Sequence, residues 1–271
     1  MMKVGVIGNG FIGGAIVQAF SLHTDVKLYD KYKEIGTIEE VATQDFIFVS
    51  VPTNVTKSGK QNLSCILDVL ENLKNVIPDN KNPIILIKST VLPGTNRMLA
   101  KKYRLRIVSN PEFLTARNAR LDFINSARIV LGSESKVDLD KAESLYRVRF
   151  PVTPIYKTTW ETAEMVKYVS NNLFSLKIAY LNEIYDICQE LRINYNDVKN
   201  ILLADGRIGN SHADIPGHDG DRGFGGTCFP KDLKTFIHWA EEKEFKTTTL
   251  WAAYNTNLRI RKKHDWIEDN D

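Results

Sequence analysis

Residues 3–13 read KVGVIGNGFIG, a short apolar run followed by three glycines spaced G-x-G-x-x-G. The run Lys3–Ile7 is typical of a buried strand, and a helix is expected to begin directly after the glycine loop. Gly8 permits a tight turn, Gly10 lets the backbone approach a pyrophosphate, and Gly13 lets the helix pack closely on the strand. These features predict a strand–loop–helix unit that binds a dinucleotide, although an accidental glycine turn is the alternative.

An acidic residue follows the second predicted strand. Asp30 lies 22 residues after Gly8, where a carboxylate accepts hydrogen bonds from the ribose hydroxyls of NAD and repels the 2′-phosphate of NADP. The predicted cofactor is therefore NAD. In this half of the chain, the residues predicted to contact NAD are Gly8, Gly10, Phe11, Ile12, Gly13, Asp30, Lys33, Val51, Pro52, Thr53 and Thr90.

Short β-branched runs alternate with segments of helical length through the first half of the chain. Most are continuously apolar, as expected for strands buried on both faces of a parallel sheet. The predicted strands are Lys3–Ile7, Val26–Tyr29, Phe46–Val51, Ile84–Lys88, Arg106–Ser109 and Arg128–Leu131. The fold class is α/β, with a Rossmann-like, mostly parallel sheet over residues 1–155. Thr53 and Thr90 follow the third and fourth strands, at the edge where ligands bind, and simple helix capping explains them equally well.

The second half of the chain is helical. No Pro or Gly occurs from Trp160 to about Leu191, and apolar residues recur at steps of three and four. Thr158-x-x-Glu161 reads as a capping box that opens this helix. Some 30 residues give a rod of about 45 Å, which we expect to connect domains or to form a dimer seam. Residues 156–271 are thus predicted as an all-helical domain with further helices near Tyr195–Leu203 and Leu233–Lys243.

Residues 223–232, GFGGTCFPKD, carry a candidate reactive cysteine. Pro230 suits the first helical position, so Cys228 is expected just before a helix whose positive end favours a thiolate. Asp232 would lie one helical turn away. A buried structural cysteine is the usual alternative, which we prefer for Cys65 and Cys188.

Lys167 and Asn171 are spaced i, i+4 on the long helix and share a face. A lysine ammonium and an amide together could stabilise a developing oxyanion or relay a proton. On spacing alone, a solvated surface lysine is the more common explanation.

The composition argues against some classes of binding partner. The chain has 271 residues, and 36 basic against 33 acidic side chains leave a net charge of +3, too mild to favour nucleic acid or an anionic membrane. No apolar run approaches a membrane span of about 18 residues, and the glycine loop interrupts any secretory signal. Three scattered cysteines suit a reducing cytoplasm. We expect a cytoplasmic globular protein without a metal site.

Taken together, these motifs resemble the UDP-glucose/GDP-mannose dehydrogenase family. The matching segments are VIGNGFIG, VPTN, KSTVLPGT, NPEFL, AEMVKYVSNN with the following NEIYD, DGRIG and GFGGTCFPKD, in the family's order and over nearly the whole chain. The resemblance implies a four-electron, NAD-dependent oxidation of a sugar nucleotide to the uronate, with UDP-glucose as the default substrate, in a homodimer joined through the long helix.

The resemblance also implies roles for residues. Cys228 would attack the aldehyde of the first oxidation to form a thiohemiacetal and then a thioester. Lys167 and Asn171 would stabilise oxyanions, while Asp232 and Thr90 would position water or move protons. Glu112 would support the site, Lys231 would lie near the cofactor, and Arg207 would reach the partner subunit's substrate. The implied substrate contacts are Glu112, Phe113, Leu114, Lys167, Asn171, Arg207, Phe224 and Gly225.

The chain departs from the family in two ways. Family members usually read PEFL-x-E, whereas here Ala116 occupies the position of the second glutamate. Because general acid–base help is worth about 10²–10⁴-fold, thioester hydrolysis would be slower or would depend on Asp232 and Glu112. Familiar members also continue into a third domain that binds the nucleotide, so the chain resembles a short form lacking that domain.

Two other functions remain open at this point. A β-hydroxyacid dehydrogenase relative would share the NAD domain, the long helix and the Lys-x-x-x-Asn pair, with Lys167 as acid/base and Cys228 idle. A non-catalytic NAD-binding module would fit Ala116 and the missing third domain.

Overall fold

The computed structural model describes residues 1–56 and 59–266. In chain order the elements are β1 (Lys3–Ile7), α1 (Phe11–Phe20), β2 (Asp25–Tyr29), α2 (Ile38–Ala42), β3 (Phe46–Val49), α3 (Ser64–Val76), β4 (Ile84–Ile87), α4 (Thr95–Tyr103), β5 (Arg106–Ser109), a 3₁₀ turn (Ala116–Asn118), α5 (Ala119–Ile124), β6 (Ile129–Gly132), α6 (Lys136–Arg149), β7 (Ile155–Thr158), α7 (Trp160–Glu190), α8 (Tyr195–Leu203), α9 (Phe229–Glu241) and α10 (Thr248–Ile260).

The strands form one sheet in the order β2-β1-β3-β4-β5-β6-β7. Neighbouring strands are parallel except β5 and β6, which are antiparallel. Along β3, Phe46 and Phe48 enter one hydrophobic cluster while Ile47 and Val49 enter another on the opposite face. Burial on both faces explains why the runs are continuously apolar. The predicted Rossmann-like, mostly parallel sheet is confirmed.

The chain packs into two compact units, and the division falls inside α7. Unit 1 comprises Met1–Asn54 and Gln61–Lys167, and unit 2 comprises Val55–Lys60 and Tyr168–Asp271. The boundary expected at residue 155 lies earlier, at the first residue of β7. In unit 2, a third hydrophobic cluster joins α7, α9, α10 and the loop before α9 through Ala179, Phe224, Leu233, Ile237, Ala253 and Tyr254.

The structure differs from the sequence-based expectation in two elements and one helix cap. β7 was not predicted, because this edge strand is only half-buried and lacks a continuous apolar run. Helix α10 was not predicted either. The capping box at Thr158 is wrong: Thr158 ends β7, and Thr159 instead accepts the N–H of Thr162.

The long helix itself is confirmed over Trp160–Glu190. No helix in the described part of the chain is both long and apolar enough to cross a membrane.

Candidate active site

The glycine loop after β1 is tightly packed on one side and open on the other. Gly8 has φ +91°, and a Cβ there would lie 2.5 Å from the Ser50 carbonyl oxygen. A Cβ on Gly13 would lie 1.8 Å from the Gly8 oxygen. At Gly10, which caps α1, a Cβ would meet no heavy atom of the described residues within 4 Å. The loop therefore leaves space at the positive end of α1, where a pyrophosphate binds.

Asp30 follows β2 and faces this loop. Its Oδ2 accepts the Asn9 N–H at 2.7 Å, and its Oδ1 accepts the N–H groups of Tyr32 and Lys33 at 3.0 Å. Burial raises the pKa of Asp30, but these N–H groups and the Lys33 ammonium outweigh it and hold the pKa below its usual value. The Lys33 Nζ also donates to the Asn9 oxygen at 2.5 Å. An ionised carboxylate at this position fits the ribose of NAD.

The ends of β3 and β4 are tied together by hydroxyl groups. The Thr53 hydroxyl donates to the Thr90 carbonyl oxygen at 2.8 Å, and the Ser89 hydroxyl donates to the Val51 oxygen at 2.7 Å. Pro52 between them is exposed. Thr53 is buried, and its hydroxyl is engaged in this bond.

A buried ion pair joins α7 to the segment after β5. The Lys167 Nζ lies 2.8 Å from Glu112 Oε1, and the two residues are 4% and 6% exposed. Glu112 Oε2 accepts the Leu114 N–H at 2.6 Å, and the Phe113 ring centre lies 5.9 Å from the Lys167 ammonium. Lys167 is therefore not a solvated surface lysine, and its charge is held beside a fixed carboxylate.

Lys88, directly after β4, was missed as a site residue. It is 4% exposed, and its Nζ lies 3.4 Å from the Pro111 carbonyl oxygen. Burial lowers the pKa of Lys88 to about 7; Glu112 opposes this shift and Lys167 adds to it. The available signal was a lysine that directly continues a fully apolar strand.

Within unit 2, three predicted residues meet around one carboxylate. Asp232, 1% exposed, accepts the Asn171 amide at 2.6 Å and the Lys231 ammonium at 2.5 Å. Its own N–H donates to the Cys228 carbonyl oxygen at 2.9 Å, as the first turn of α9 forms. The amide and the ammonium fix the carboxylate one helical turn from the cysteine.

Cys228 is the N-cap residue of α9, with Pro230 in the first turn. Pro230 occupies the second helical position rather than the predicted first. The Cys228 side chain is half-buried, and the Thr227 hydroxyl oxygen lies 3.9 Å from its sulfur. This position places the sulfur at the positive end of a helix, where a thiolate is favoured.

Two residues that sequence reasoning missed hold the loop before Cys228. The Asn257 side chain accepts the Phe224 N–H at 2.7 Å and donates to the Phe224 oxygen at 2.8 Å. A Cβ on Gly225 would lie 2.0 Å from the Arg261 guanidinium. Both lie in or directly after the unpredicted helix α10, so no motif pointed to them.

Three other residues from the sequence analysis have side chains that are buried in a core, exposed, or outside the described residues. The Phe224 side chain is buried in the core of unit 2, so only its backbone could contact a substrate. Arg207 is exposed and pairs with Asp205, its neighbour in the chain, at 2.5 Å. Ala116 begins the 3₁₀ turn, and its side chain lies outside the described residues, as do residues 267–271.

The open glycine loop on a Rossmann-type sheet, with Asp30 beside it, defines an NAD-binding domain. The chain belongs to the UDP-glucose/GDP-mannose dehydrogenase family: the family model of the NAD binding domain matches residues 31–149, and that of the central domain matches residues 161–259.

Two relatives and one solved structure illustrate what the chain is similar to. The chain is 34% identical over 204 residues to the uncharacterized protein MJ1054 of Methanocaldococcus jannaschii, covering 73% of this chain and 22% of that protein. It is 28% identical over 301 residues to the UDP-glucose 6-dehydrogenase of Rickettsia prowazekii, covering 94% and 67%. A UDP-glucose dehydrogenase structure from Pyrobaculum islandicum superposes with a TM-score of 0.83 at 25% identity, covering 96% and 68%. The chain thus spans from about a fifth to about two thirds of these proteins.

Proposed function

We propose that the chain carries out the cysteine-dependent oxidation of a sugar nucleotide to its uronate, as a UDP-glucose 6-dehydrogenase-like enzyme with UDP-glucose as the default substrate. The observation that carries this proposal is Cys228 at the N-terminus of α9, one turn from the Asp232 carboxylate that Asn171 and Lys231 hold. An activated thiol beside fixed polar groups is the arrangement that covalent catalysis on a carbonyl requires.

The cofactor part of the proposal rests on unit 1. The N–H groups at the start of α1 would bind the pyrophosphate of NAD, and Asp30 would hold a ribose. When bound, NAD supplies a hydride acceptor for each of the two oxidations. Thr90 and Lys231 are proposed to lie near it, as the family resemblance implies.

The substrate part rests on Cys228 and on two residues of α7, Lys167 and Asn171, each of which pairs with a carboxylate. The Cys228 sulfur would add to the aldehyde carbon, and the thioester left after hydride loss would be cleaved by water, which restores the thiol and releases a carboxylate. Lys167 and Asn171 lie four residues apart on α7 and project from one face of it, so both could donate to the carbonyl oxygen as it becomes an anion. Asp232 would accept a proton from the attacking water.

Glu112 and the segment after it are proposed to contribute to substrate binding, as the family resemblance implies. Glu112 fixes the Lys167 ammonium and thereby holds it ready as a donor. The segment Phe113–Leu114 and the backbone of Phe224 and Gly225 would contact the sugar. With Ala116 in place of the family glutamate, proton transfer depends on Asp232 and Glu112.

We infer a homodimer through α7. Five large apolar side chains of this helix are exposed by half or more and recur at steps of four and seven: Val169, Leu173, Tyr180, Ile187 and Leu191, the last just after its end. A regular apolar stripe along a helix is typical of a helix–helix interface. In such a dimer, Arg207 would reach the substrate of the partner subunit. Three cysteines scattered along the chain fit a cytoplasmic enzyme.

The test is a panel of sugar nucleotides, including UDP-glucose and GDP-mannose, incubated with NAD. We expect two NADH per substrate and a product mass that corresponds to the uronate. Cys228→Ser should abolish the second oxidation, whereas the matched control Cys65→Ser should not change the stoichiometry.

Two outcomes would overturn the proposal. One NADH per substrate, with Cys228→Ser still active, would favour a β-hydroxyacid dehydrogenase-like reaction in which Lys167 is the acid/base. Binding of NAD without turnover of any sugar nucleotide would favour a non-catalytic module.

A further inference from the structure

A cavity of about 250 Å³ lies within unit 1, between the segments 110–114 and 122–129. Lys88 and Tyr146 complete its lining, and three aromatic rings contribute to it: Phe113, Phe123 and Tyr146. For comparison, a cavity of roughly 150 Å³ is large enough to hold benzene. The space therefore suits a small organic molecule with an apolar body.

The two carboxylates of the lining and the Asn110 amide are already engaged, whereas Asn125, which also lines the cavity, is exposed. Asp122 Oδ2 accepts the Thr115 N–H at 2.7 Å and the Thr115 hydroxyl at 2.5 Å. Glu112 holds Lys167 and the Leu114 N–H. The Asn110 side chain donates to the Val130 oxygen at 2.9 Å and accepts the Tyr146 hydroxyl. Four of the five acceptor oxygens of these three side chains therefore already have a partner in the protein.

The two cations of the lining are not engaged in this way. The Lys88 ammonium donates to the Pro111 carbonyl oxygen at 3.4 Å, and it lies 5.8 Å from the Phe123 ring centre. The Arg128 guanidinium carbon lies 4.1 Å from the Phe113 ring centre, and no carboxylate of the described residues forms an ion pair with it. An ammonium has three N–H donors and a guanidinium has five. The cavity therefore offers a ligand positive charge and hydrogen-bond donors.

The charge balance selects a monoanion. Below about pH 7, where Lys88 is charged, Glu112 is neutralised by Lys167 and Asp122 offsets one of the two remaining cations, so one positive charge is left over. A buried charge without a partner is costly, and a single negative charge would compensate it. A carboxylate can accept from an ammonium and a guanidinium at the same time, while the rings pack on its carbon body.

We propose that this cavity binds a small organic carboxylate, of the size of benzoate, through Lys88 and Arg128. The site goes beyond the proposed function, because no step of that reaction uses either cation.

Binding should weaken as the pH rises. Burial lowers the pKa of Lys88 to about 7, so its ammonium persists below this pH and is lost above it. The other groups that line or flank the site are Glu112, Asp122, Arg128, Lys167 and Tyr146. Burial raises the pKa of the Tyr146 hydroxyl, which stays neutral throughout this range. A carboxylate should therefore bind more tightly at pH 6 than at pH 8.5.

The experiment is a titration of the full chain with benzoate at pH 6, by calorimetry, without NAD or sugar nucleotide. Benzamide is the neutral probe of the same shape, and phosphate is the probe for a dianion-forming ligand. We expect saturable binding of benzoate only. Lys88→Met and Arg128→Gln should each weaken it at least about tenfold, while the exposed controls Lys101→Met and Arg120→Gln should not change it.

Three outcomes would overturn the proposal: no saturable binding up to about 20 mM benzoate, which covers the millimolar range of Kd; equal binding of benzamide; or binding unaffected by Lys88→Met and Arg128→Gln. If Lys88→Met does not fold, as judged by circular dichroism, Arg128→Gln carries the test. Because no turnover is measured, failure here is distinct from failure of the proposed dehydrogenase reaction.

Discussion

At the scale of single residues, unit 1 buries two lysines that differ in their surroundings. Lys167 lies 2.8 Å from the Glu112 carboxylate, whereas Lys88 has a carbonyl oxygen at 3.4 Å. Burial without a carboxylate in direct contact favours the neutral amine of a lysine. This difference explains why the pKa of Lys88 falls to about 7.

The buried Lys88 should make stability depend on pH. Between about pH 7 and the ordinary lysine pKa of 10.5, the unfolded chain binds a proton that the folded chain does not, so folding becomes more favourable as the pH rises. Lys88→Met removes this dependence. Its free energy of unfolding should exceed that of the wild type most at pH 6–7, and the difference should shrink by at most about 1.4 kcal/mol per pH unit above that.

Urea unfolding at pH 6, 7, 8 and 9 measures this difference, with Lys101→Met as the exposed control. A difference between Lys88→Met and the wild type that is constant with pH would contradict the depressed pKa of Lys88.

The outcome at these two residues shows where sequence reasoning ends. The i, i+4 spacing of Lys167 and Asn171 suggested a shared face, but on spacing alone a solvated lysine was the better explanation. Lys88 was missed, although it directly follows an apolar strand. Whether a lysine is buried depends on what packs over it, and that packing comes from segments distant in the chain.

At the scale of elements, the β1–α1 unit separates two roles of glycine. A Cβ on Gly13 would overlap the Gly8 oxygen at 1.8 Å, whereas a Cβ on Gly10 would meet no described atom within 4 Å. One position is closed by the protein, and the other is left open for the cofactor.

These two glycines should therefore respond differently to alanine. Gly13→Ala should destabilise the fold by about 1–3 kcal/mol, the usual cost of overpacking. Gly10→Ala should leave the free energy of unfolding nearly unchanged but weaken NAD binding at least about tenfold, because the methyl group occupies the approach of the pyrophosphate.

Denaturant unfolding and NAD titration by calorimetry separate the two effects. The prediction fails if Gly10→Ala binds NAD like the wild type, or if Gly13→Ala keeps full stability.

Other elements show how far hydrophobic periodicity predicts helices and strands. The boundaries of β1, β5 and α8 agree with their predicted ranges, because buried strands and amphipathic helices have clear local periodicity. β7 was missed because its residues, IYKT, do not form a continuous apolar run. α10 was also missed, and with it Asn257, which holds the backbone of the cysteine loop.

At the scale of the whole molecule, α7 runs through both compact units and exposes an apolar stripe in unit 2. If α7 forms a homodimer seam, a charge placed in the stripe should break the dimer, because two buried carboxylates would face apolar surface. Leu173→Glu should therefore convert a dimer of 30.8 kDa chains to monomers.

Light scattering after size-exclusion chromatography measures this change. Leu121→Glu is the matched control, since Leu121 is exposed to a similar degree on α5. The monomeric variant should still bind NAD, because the glycine loop and Asp30 lie in unit 1. A monomeric wild type, or a Leu173→Glu variant that remains dimeric, would refute the α7 interface.

The local features of this protein can be read from its residues in order: the glycine loop, the buried strands, the length of α7 and the helix start at Cys228. Each depends on backbone preferences or on periodicity over a few residues. The pairing of functional groups cannot be read in this way. Lys167 meets Glu112 across 55 residues, and Asn171 meets Asp232 across 61. Such contacts, and the cavity with Lys88 and Arg128, arise when distant segments pack together, because packing fixes which charges lose water and which partner they gain.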